Sequence, residues 1–350
     1  MQEDKLLEED WICDIVRNTY RNYEGRKIIL WGKYRVPERI AKALEDVYHI
    51  SVYGYIESNE SKIGDSVFLV SDFFAQARKE EYYIVVPLAF RPEVVETLRK
   101  NGFEKNTDYY YFTECVIEQR EDYYEDAHGN KIIGKTGGAL GRIVFLGFHA
   151  TVTINKNVDI SGTGKIYVRS DAYFEVGENT KMGIQSYMDI AKEARIIIGR
   201  ECELKSIKFV DIYSHGELEI GDKTTTWFGC CFMVCEWSKV KIGKDCMFSH
   251  DIKVYSNDCH SIFDLTTGKN INSTEEICKK RNIFIGDHVW IGVDAIILYG
   301  SNIKSGSIIG AGSIVKGEVS ENCIACGNPA RVTRRNVGWN RKNCVESMEC

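Results

Sequence analysis

The stretch IGDHVWIGVDAIILYGSNIKSGSIIGAGSIV (residues 285–315) decides the fold of this chain. Every sixth residue in it is β-branched and apolar: Ile285, Ile291, Ile297, Ile303, Ile309 and Val315. Apolar positions recur about every 3.6 residues in a helix and about every 2 in a strand, so neither element explains this period. A six-residue period indicates a solenoid, in which short strands joined by tight corners stack one side chain per hexad in the interior.

The same repeat extends towards the N-terminus in a longer period. An apolar residue followed by glycine recurs every 22 residues, at Val176, Ile198, Ile220 and Ile242. Three hexads plus four residues fill each period, which predicts a triangular coil with one enlarged corner. The hexad positions are apolar except Thr226. We therefore expect an all-β parallel solenoid over residues 143–335.

The register is lost after Val254 and returns at Ile285, so residues 255–283 are predicted to be an inserted loop. Long loops inside a regular array usually belong to the functional site.

The residues before the solenoid have a different pattern. Residues 1–24 carry apolar side chains at helical spacing and predict a helix. Residues 25–114 alternate strand and helix signals, beginning with KIILW (27–31) and PERIAKALEDVY (37–48), and predict a small Rossmann-like α/β domain with a parallel sheet. Gly32 is the only glycine in its first strand-to-helix turn. A dinucleotide-binding fold needs the pattern GxGxxG at this point, so pyrophosphate binding is not expected there. Residues 115–142 are charged and glycine-rich and are interpreted as a linker, and residues 336–350 as a C-terminal tail.

Composition excludes several classes of function. The net charge of −6 does not favour nucleic acid as a partner, and no apolar run is long enough for a membrane span. The N-terminus MQEDKLLEED does not have the pattern of a signal peptide, and the 13 scattered cysteines suit reduced thiols in the cytoplasm. Cys323 and Cys326 form a single CxxC without a second pair, so no metal is expected.

Three motifs carry a family resemblance: GDHVWIG (286–292), SIIGAGSIV (307–315) and GNPARV (327–332). They are similar to the C-terminal coils of hexapeptide-repeat acyltransferases, most of all to the branch that O-acetylates sugars and capsular polysaccharides. The resemblance implies a left-handed parallel β-helix, acetyl-CoA as co-substrate, and a homotrimer with sites between neighbouring subunits. The handedness rests on the resemblance alone, because parallel crossovers are generally right-handed.

The resemblance also implies a catalytic base. YSNDCHSIFD (255–264) resembles the arrangement in which a histidine at the mouth of the loop deprotonates the acceptor, which selects His260. Histidine suits this role because its pKa lies near the working pH. His250 is the rival. Asp258, Asp264 or a backbone carbonyl could orient the imidazole, and the sequence leaves that choice open. His288 lies within a hexad and is interpreted as a corner residue.

Donor binding is assigned through the same resemblance. In the family, two positions 18 residues apart meet pantetheine through backbone groups, and they fall on Val293 and Ala311. Lys316 is displaced by one residue from the family's lysine. Arg331 and Arg334 match basic positions after GNP and are candidates for the nucleotide phosphates, the alternative being ordinary surface charges. Trp290 is expected to form a wall of the substrate cleft.

The sequence therefore predicts an acetyl-CoA-dependent O-acetyltransferase that uses histidine as general base on a sugar hydroxyl, in capsule or other surface-polysaccharide synthesis. N-acetylation of an amino sugar and a non-catalytic β-helix scaffold are the alternatives. A β-helix carbonic anhydrase would need three histidines around zinc, and a nucleotidyltransferase would need a glycine-rich loop in the N-terminal domain. The identity of the carbohydrate acceptor is not encoded in any recognised motif.

Overall fold

The computed structural model describes residues 10–58, 66–87, 92–111, 116–126, 128–134, 141–256, 258, 260–272 and 274–342. The chain divides into two compact units. The first comprises Met1–Ile117 with Asp126–His128, and the second comprises Glu118–Glu125 with Gly129–Cys350. None of the helices in the described ranges is long and apolar enough to cross a bilayer.

The first unit contains a five-stranded sheet in which every pairing is parallel, with strand order β3-β2-β1-β4-β5. Its elements are α1 Asp10–Asn22, β1 Lys27–Trp31, α2 Arg35–Tyr48, β2 Gly54–Glu57, β3 Val67–Leu69, α3 Val70–Gln76, a 3₁₀ turn Lys79–Glu81, β4 Tyr82–Val86, α4 Pro92–Lys100 and β5 Tyr109–Tyr111. The short strand β3 was not anticipated from the sequence. The strand–helix alternation that the sequence predicted over residues 25–114 is otherwise present.

Strand β1 is apolar and buried from Ile28 to Trp31. A continuous apolar run of this kind is typical of a parallel strand that is covered on both faces. Ile29 packs in a cluster with Phe73 of α3 and Val94 of α4, while Ile28 on the opposite side of the strand is also fully buried. The amide N–H of Lys33, in the turn after β1, donates to the carboxylate of Glu57 at 2.6 Å. The negative charge of a carboxylate in this turn would repel a phosphate group bound there.

The second unit is a parallel β-solenoid with three faces, which we name A, B and C. Face A is formed by β8 Lys131–Gly134, β10 Thr151–Ile154, β13 Tyr173–Val176, β15 Arg195–Ile198, β17 Glu217–Ile220, β20 Lys239–Ile242, β23 Ile283–Ile285, β26 Asn302–Ile303 and β29 Glu318–Val319, preceded by β6 Val116–Arg120 and β7 Tyr123–Asp126.

Faces B and C share one sheet because two long strands run across both faces, β14 Lys181–Ile190 and β16 Glu203–Ile212. Face B also contains β11 Asp159–Gly162, β18 Thr225–Thr226, β21 Met247–Phe248, β24 Trp290–Ile291, β27 Ile308–Ile309, β30 Cys323–Gly327 and β31 Ala330–Arg335. Face C also contains β9 Ile143–Leu146, β12 Lys165–Arg169, β19 Cys231–Val234, β22 Lys253–Tyr255, β25 Ile296–Leu298 and β28 Ile314–Val315. Antiparallel pairing is seen for β7 with β8 and for β30 with β31.

The predicted hexad residues form the solenoid core. Successive coils stack them in register, so that Val254 pairs with Ile297, and Ile297 with Val315. All are buried, including Thr226, which is 2% exposed. The Thr226 hydroxyl has no hydrogen-bond partner among the described residues, which is an unfavourable arrangement for a buried polar group. The six-residue period therefore predicted the buried positions of the solenoid correctly.

The predicted linker over residues 115–142 requires correction. Its described part contains β6, β7 and β8, and β8 pairs in register with β10 as the start of face A. Only alternate residues of a strand face the interior, so a single buried residue such as Ile132 suffices beside charged neighbours. The charged composition therefore concealed the strands. The inserted loop lies where it was predicted, between β22 and β23, and contains the short helix α5 Glu275–Cys278.

The corners of the coils stack into three edges, which position the candidate site residues. The AB edge contains Asp245 and His288, the BC edge contains His250, Val293 and Ala311, and the CA edge contains the inserted loop, Tyr299 and Lys316. His288 is a corner residue with φ of 54°, as predicted.

The tail after β31 lies against the AB edge in its described part, residues 336–342. The Trp339 ring stacks on His288 with ring centroids 4.1 Å apart, and Arg341 forms an ion pair of 2.8 Å with Asp245. The other predicted tail residues, 343–350, lie outside the described residues.

Candidate active site

The residues predicted to form the site lie on two different edges of the solenoid. His250, Val293 and Ala311 occupy successive coils of the BC edge. The amide of Asp294 donates to the His250 carbonyl at 3.0 Å, and the amide of Gly312 donates to the Val293 carbonyl at 2.8 Å. His260 and Lys316 belong to the CA edge, at the opposite end of the face C strands.

His260 is exposed and lies near the start of the inserted loop. Its amide donates to the Asp258 carbonyl at 2.8 Å, and its carbonyl accepts from the Asn272 side chain at 2.8 Å. Within the described residues no hydrogen bond engages its imidazole. The backbone is therefore held in place while the ring is left available to a substrate.

Asp258 holds the loop and does not orient the imidazole. Its carboxylate accepts hydrogen bonds from Arg281 and, at 3.1 Å, from Asn272. Burial acts to raise the pKa of Asp258, but the hydrogen bonds from Arg281 and Asn272 and the Arg281 charge outweigh it and lower that pKa below its usual value. The Arg281 side chain is only 5% exposed, so this ion pair ties the exposed loop to buried structure.

Asp264, the other carboxylate that was expected near the imidazole, is committed to its own turn. It accepts hydrogen bonds from the amides of Thr266 and Thr267 and from the Thr267 hydroxyl, at 2.7 to 3.0 Å. Such side-chain-to-backbone bonds are typical of Asp at turns. The structure therefore assigns neither Asp258 nor Asp264 the predicted orienting role.

Asn272 is the residue of the loop that sequence reasoning missed. It is buried, and its amide oxygen accepts from the Ile262 amide at 2.6 Å while its amide nitrogen donates to His260 and Asp258. An amide side chain suits this position because it carries one group that accepts hydrogen bonds and another that donates them, in a fixed relative geometry. The segment TTGKNIN (266–272) follows the YSNDCHSIFD motif closely in sequence, but nothing in its spacing marks which of its two asparagines faces inward.

His250, the rival base, packs against aromatic rings. Its ring centroid lies 5.4 Å from that of Trp227 and 5.8 Å from that of Phe228, both exposed residues of the preceding coil. The ring thus extends an aromatic surface on the BC edge.

The donor-binding candidates are divided between the two edges. Val293 and Ala311 are exposed on the BC edge, where close approach to their backbone is possible. Arg331 and Arg334 are exposed on β31, and no carboxylate pairs with either guanidinium in the described part of the chain. Lys316 lies apart from them, with its ammonium 4.2 Å from the Tyr299 ring centroid on the CA edge. These backbone groups and cations are of the kind that would suit an amide-containing, phosphate-bearing ligand.

Trp290 and His288 lie on or next to the AB edge. Trp290 is 36% exposed on face B, and its ring centroid lies 6.1 Å from that of Trp339 in the tail. His288 uses both ring nitrogens, with Nδ1 2.7 Å from Asp245 and Nε2 2.9 Å from the Trp339 carbonyl. Its role is therefore structural. In the described ranges no cluster of three or more His, Cys, Asp or Glu residues is arranged to hold a metal ion.

Comparison with known proteins gives consistent relatives, although no family model matches the chain. The chain is 34% identical over 128 residues to the polysialic acid O-acetyltransferase of Escherichia coli O1:K1, a segment covering 36% of this chain and 39% of that protein. It is 27% identical over 203 residues to the polysialic acid O-acetyltransferase of Neisseria meningitidis, covering 58% of this chain and 91% of that protein.

Among solved structures, a polysialic acid O-acetyltransferase matches with a TM-score of 0.53 and 25% identity, covering 59% of this chain and 94% of that one. In sequence and in its solenoid fold the chain is therefore similar to polysialic acid O-acetyltransferases, which resemble the hexapeptide-repeat acyltransferases indicated by the sequence motifs.

The hydrogen bonds of Asn272 generate a first prediction. If His260 is the catalytic base, as the sequence predicts, Asn272→Ala should lower turnover by about 10²-fold, because the His260 backbone loses its support and small displacements of a catalytic group are costly. The melting temperature should change little, because the solenoid core is not involved. Thiol release from acetyl-CoA and thermal unfolding are the measurements.

Asp264→Ala is the matched control, since it removes hydrogen bonds from the same loop without touching His260. Wild-type turnover in Asn272→Ala, or equal losses in both variants, would contradict the role assigned to Asn272.

Proposed function

We propose that this chain is an acetyl-CoA-dependent O-acetyltransferase that acts on a sugar hydroxyl in the cytoplasmic synthesis of a capsule or other surface polysaccharide. The observation that carries the proposal is the exposed His260 imidazole, which has no hydrogen-bond partner among the described residues while Asn272 holds its backbone. The names of the relatives, which are O-acetyltransferases of polysialic acid, support a carbohydrate acceptor.

In this proposal acetyl-CoA supplies the acetyl group as a thioester. His260 accepts the proton of the sugar hydroxyl while the hydroxyl oxygen forms a bond to the acetyl carbon. The carbon–sulfur bond then breaks, and the imidazolium returns the proton to the leaving sulfur. Asp258 contributes by holding the loop through Arg281 and Asn272.

The donor would lie along the BC edge. Backbone groups of Val293 and Ala311 would meet pantetheine, and Arg331 and Arg334 would meet the nucleotide phosphates, since guanidinium groups bind phosphate in a bidentate manner. Lys316 lies on the CA edge, as the His260 loop does. It would therefore reach the donor only in a site to which that loop also contributes.

We further propose a homotrimer of left-handed solenoids. Within one chain Val293 and Ala311 lie on the BC edge and His260 lies on the CA edge, so a complete site needs the CA edge of one subunit to meet the BC edge of its neighbour. Cyclic assemblies of this kind use heterologous interfaces that close into a ring. We propose that the N-terminal unit docks or presents the acceptor.

The central prediction concerns the base. His260→Ala should lower turnover by about 10²–10⁴-fold, because proton transfer from the acceptor is lost. Donor affinity and melting temperature should be unchanged. The measurements are thiol release with a panel of sugars and amino sugars, and calorimetric titration of CoA.

His250→Ala is the comparison variant and should do less, because its ring packs on Trp227 and Phe228. If His250→Ala abolishes turnover while His260→Ala does not, His250 is the base. If turnover occurs only with amino sugars the enzyme is an N-acetyltransferase, and no turnover with any acceptor favours a scaffold.

A further prediction concerns the two arginines. Replacing Arg331 and Arg334 together with Ala should raise the Michaelis constant for acetyl-CoA and affect that for the dephospho-CoA thioester less, because the 3′-phosphate contact is lost. Arg195→Ala, on face A, is a matched change of surface charge and should alter neither constant. Equal effects of the double variant on both donors would place the 3′-phosphate elsewhere.

The assembly makes a separate prediction. Sedimentation should give a mass of three chains, each 40.0 kDa. A mass of 40.0 kDa in active samples would mean that one chain holds the whole site, and His250 would then be better placed than His260.

A further inference from the structure

An open groove of about 650 Å³ lies on face B, two to five coils before Val293, which is predicted to contact the donor. Its lining includes Ser161, Thr163, Lys181, Gln185, Lys205 and Phe228. None of these side chains has a role in the acetyl-transfer site described above.

The groove exists because the corner between faces B and C is altered in two coils. Strands β14 and β16 each continue for ten residues across a position where the later coils turn sharply. Their register shifts after Met182 and again after Ile184, and Ser206 has a φ of 51°. Gly183 adds to the depression because it contributes no side chain to the outer surface. Irregularities of this kind in a sheet often mark functional positions.

Two exposed aromatic residues lie between the groove and His250: Phe228 lines the end of the groove, and Trp227 is its neighbour in sequence. Trp227 is 44% exposed and Phe228 is 48% exposed, although large aromatic side chains are usually buried. The Lys205 ammonium lies 4.5 Å from the Trp227 ring centroid. Exposed aromatic rings provide flat surfaces for the C–H face of a pyranose, so this end suits a sugar ring.

The rest of the groove supplies hydrogen-bonding groups of both kinds. Gln185 donates to the Ser206 hydroxyl at 2.6 Å, which fixes its amide, and the hydroxyl of the exposed residue Thr163 donates to the Gln185 carbonyl at 2.8 Å. The ammonium groups of Lys181 and Lys205 are offset by the nearby carboxylates of Asp159 and Glu203. Mixed donors and acceptors without a strong net charge suit the hydroxyls of a glycan better than the phosphates of a nucleotide.

The order of residues along the BC edge connects the groove to the reaction. Reading down the stack gives Ala311, Val293, His250 and then Phe228, where the groove begins. Adjacent parallel strands are about 4.8 Å apart, so the three coil steps from Phe228 to Ser161 span roughly 14 Å. The donor candidates and the groove therefore lie on opposite sides of His250, on one continuous edge.

We propose that this groove binds the non-reacting sugars of an oligosaccharide acceptor, with a pyranose ring on Trp227 and Phe228. This inference rests on the proposed function, because it assumes that the acceptor is a carbohydrate. It adds the place on the solenoid where the sugars that do not react are bound.

The test is direct binding of oligosaccharides to the full chain with His260→Ala, which removes the base but not the groove. The probes are a sialic acid dimer, a longer sialic acid oligomer and a neutral maltose oligomer, followed by calorimetry and by tryptophan fluorescence. At least one of the longer oligomers should bind, and more tightly than the dimer. Adding Trp227→Ala and Phe228→Ala should weaken that binding at least about tenfold, if each stacked ring contributes energy typical of a buried aromatic contact.

Phe284→Ala is the matched control, since Phe284 is 41% exposed on face A. It should leave binding unchanged. The inference is wrong if no oligomer binds, if the aromatic variants bind normally, or if Phe284→Ala weakens binding equally. It is also wrong if the Trp227 signal responds to dilution of the protein and not to oligosaccharide, because the groove would then be a subunit interface.

The two hypotheses fail differently. Oligosaccharide binding through Trp227 and Phe228 without thiol release in the wild type would retain the groove and reject the transferase. Turnover of a monosaccharide with no gain for longer acceptors would retain the transferase and reject the groove.

Discussion

The stacking of one inward side chain per hexad on its counterpart in the next coil is the constraint on which the rest of the solenoid depends. Each coil has too few residues to bury a core alone, so its stability comes from the coils on either side. In-register parallel pairing brings Ile242, Ile285 and Ile303 into one column. Because the columns fix the corners, they also fix which side chains share an edge. The position of His250 beside Val293 is therefore a consequence of core packing.

This constraint explains why much of the fold could be predicted from sequence. A six-residue period has few structural interpretations, and the buried positions from Ile154 to Val315 follow it. The start of the solenoid was harder to predict from sequence, because a strand of the first coils needs only one apolar residue. Ile132 carries the interior contact of β8 alone, beside residues whose composition is that of a loop.

The candidate site was predictable only in part, for a related reason. The positions of residues within the repeat follow from its period, so His288 lies at a corner as expected, and the 18-residue spacing of Val293 and Ala311 puts them on successive coils. The inserted loop has no period, and its geometry depends on hydrogen bonds between residues distant in sequence. Asp258 and His260 are two residues apart, yet the Asp258 carboxylate turns to Arg281, 23 residues later, and not to the imidazole. Only the folded loop shows that Asn272 supports the His260 backbone.

The C-terminal residues bear on how this chain can be synthesised. A solenoid can add coils one at a time as they leave the ribosome, because each coil needs only the one before it. Trp339 and Arg341 follow every coil in sequence, yet they bind His288 and Asp245, which belong to coils formed earlier. The AB edge therefore acquires these contacts only after translation has passed residue 341. The edge of β30, which could pair with another chain while it is exposed, is covered earlier, when β31 has formed and paired with it. Misassembly through the edge of β30 is therefore a hazard of the short interval between the synthesis of β30 and that of β31.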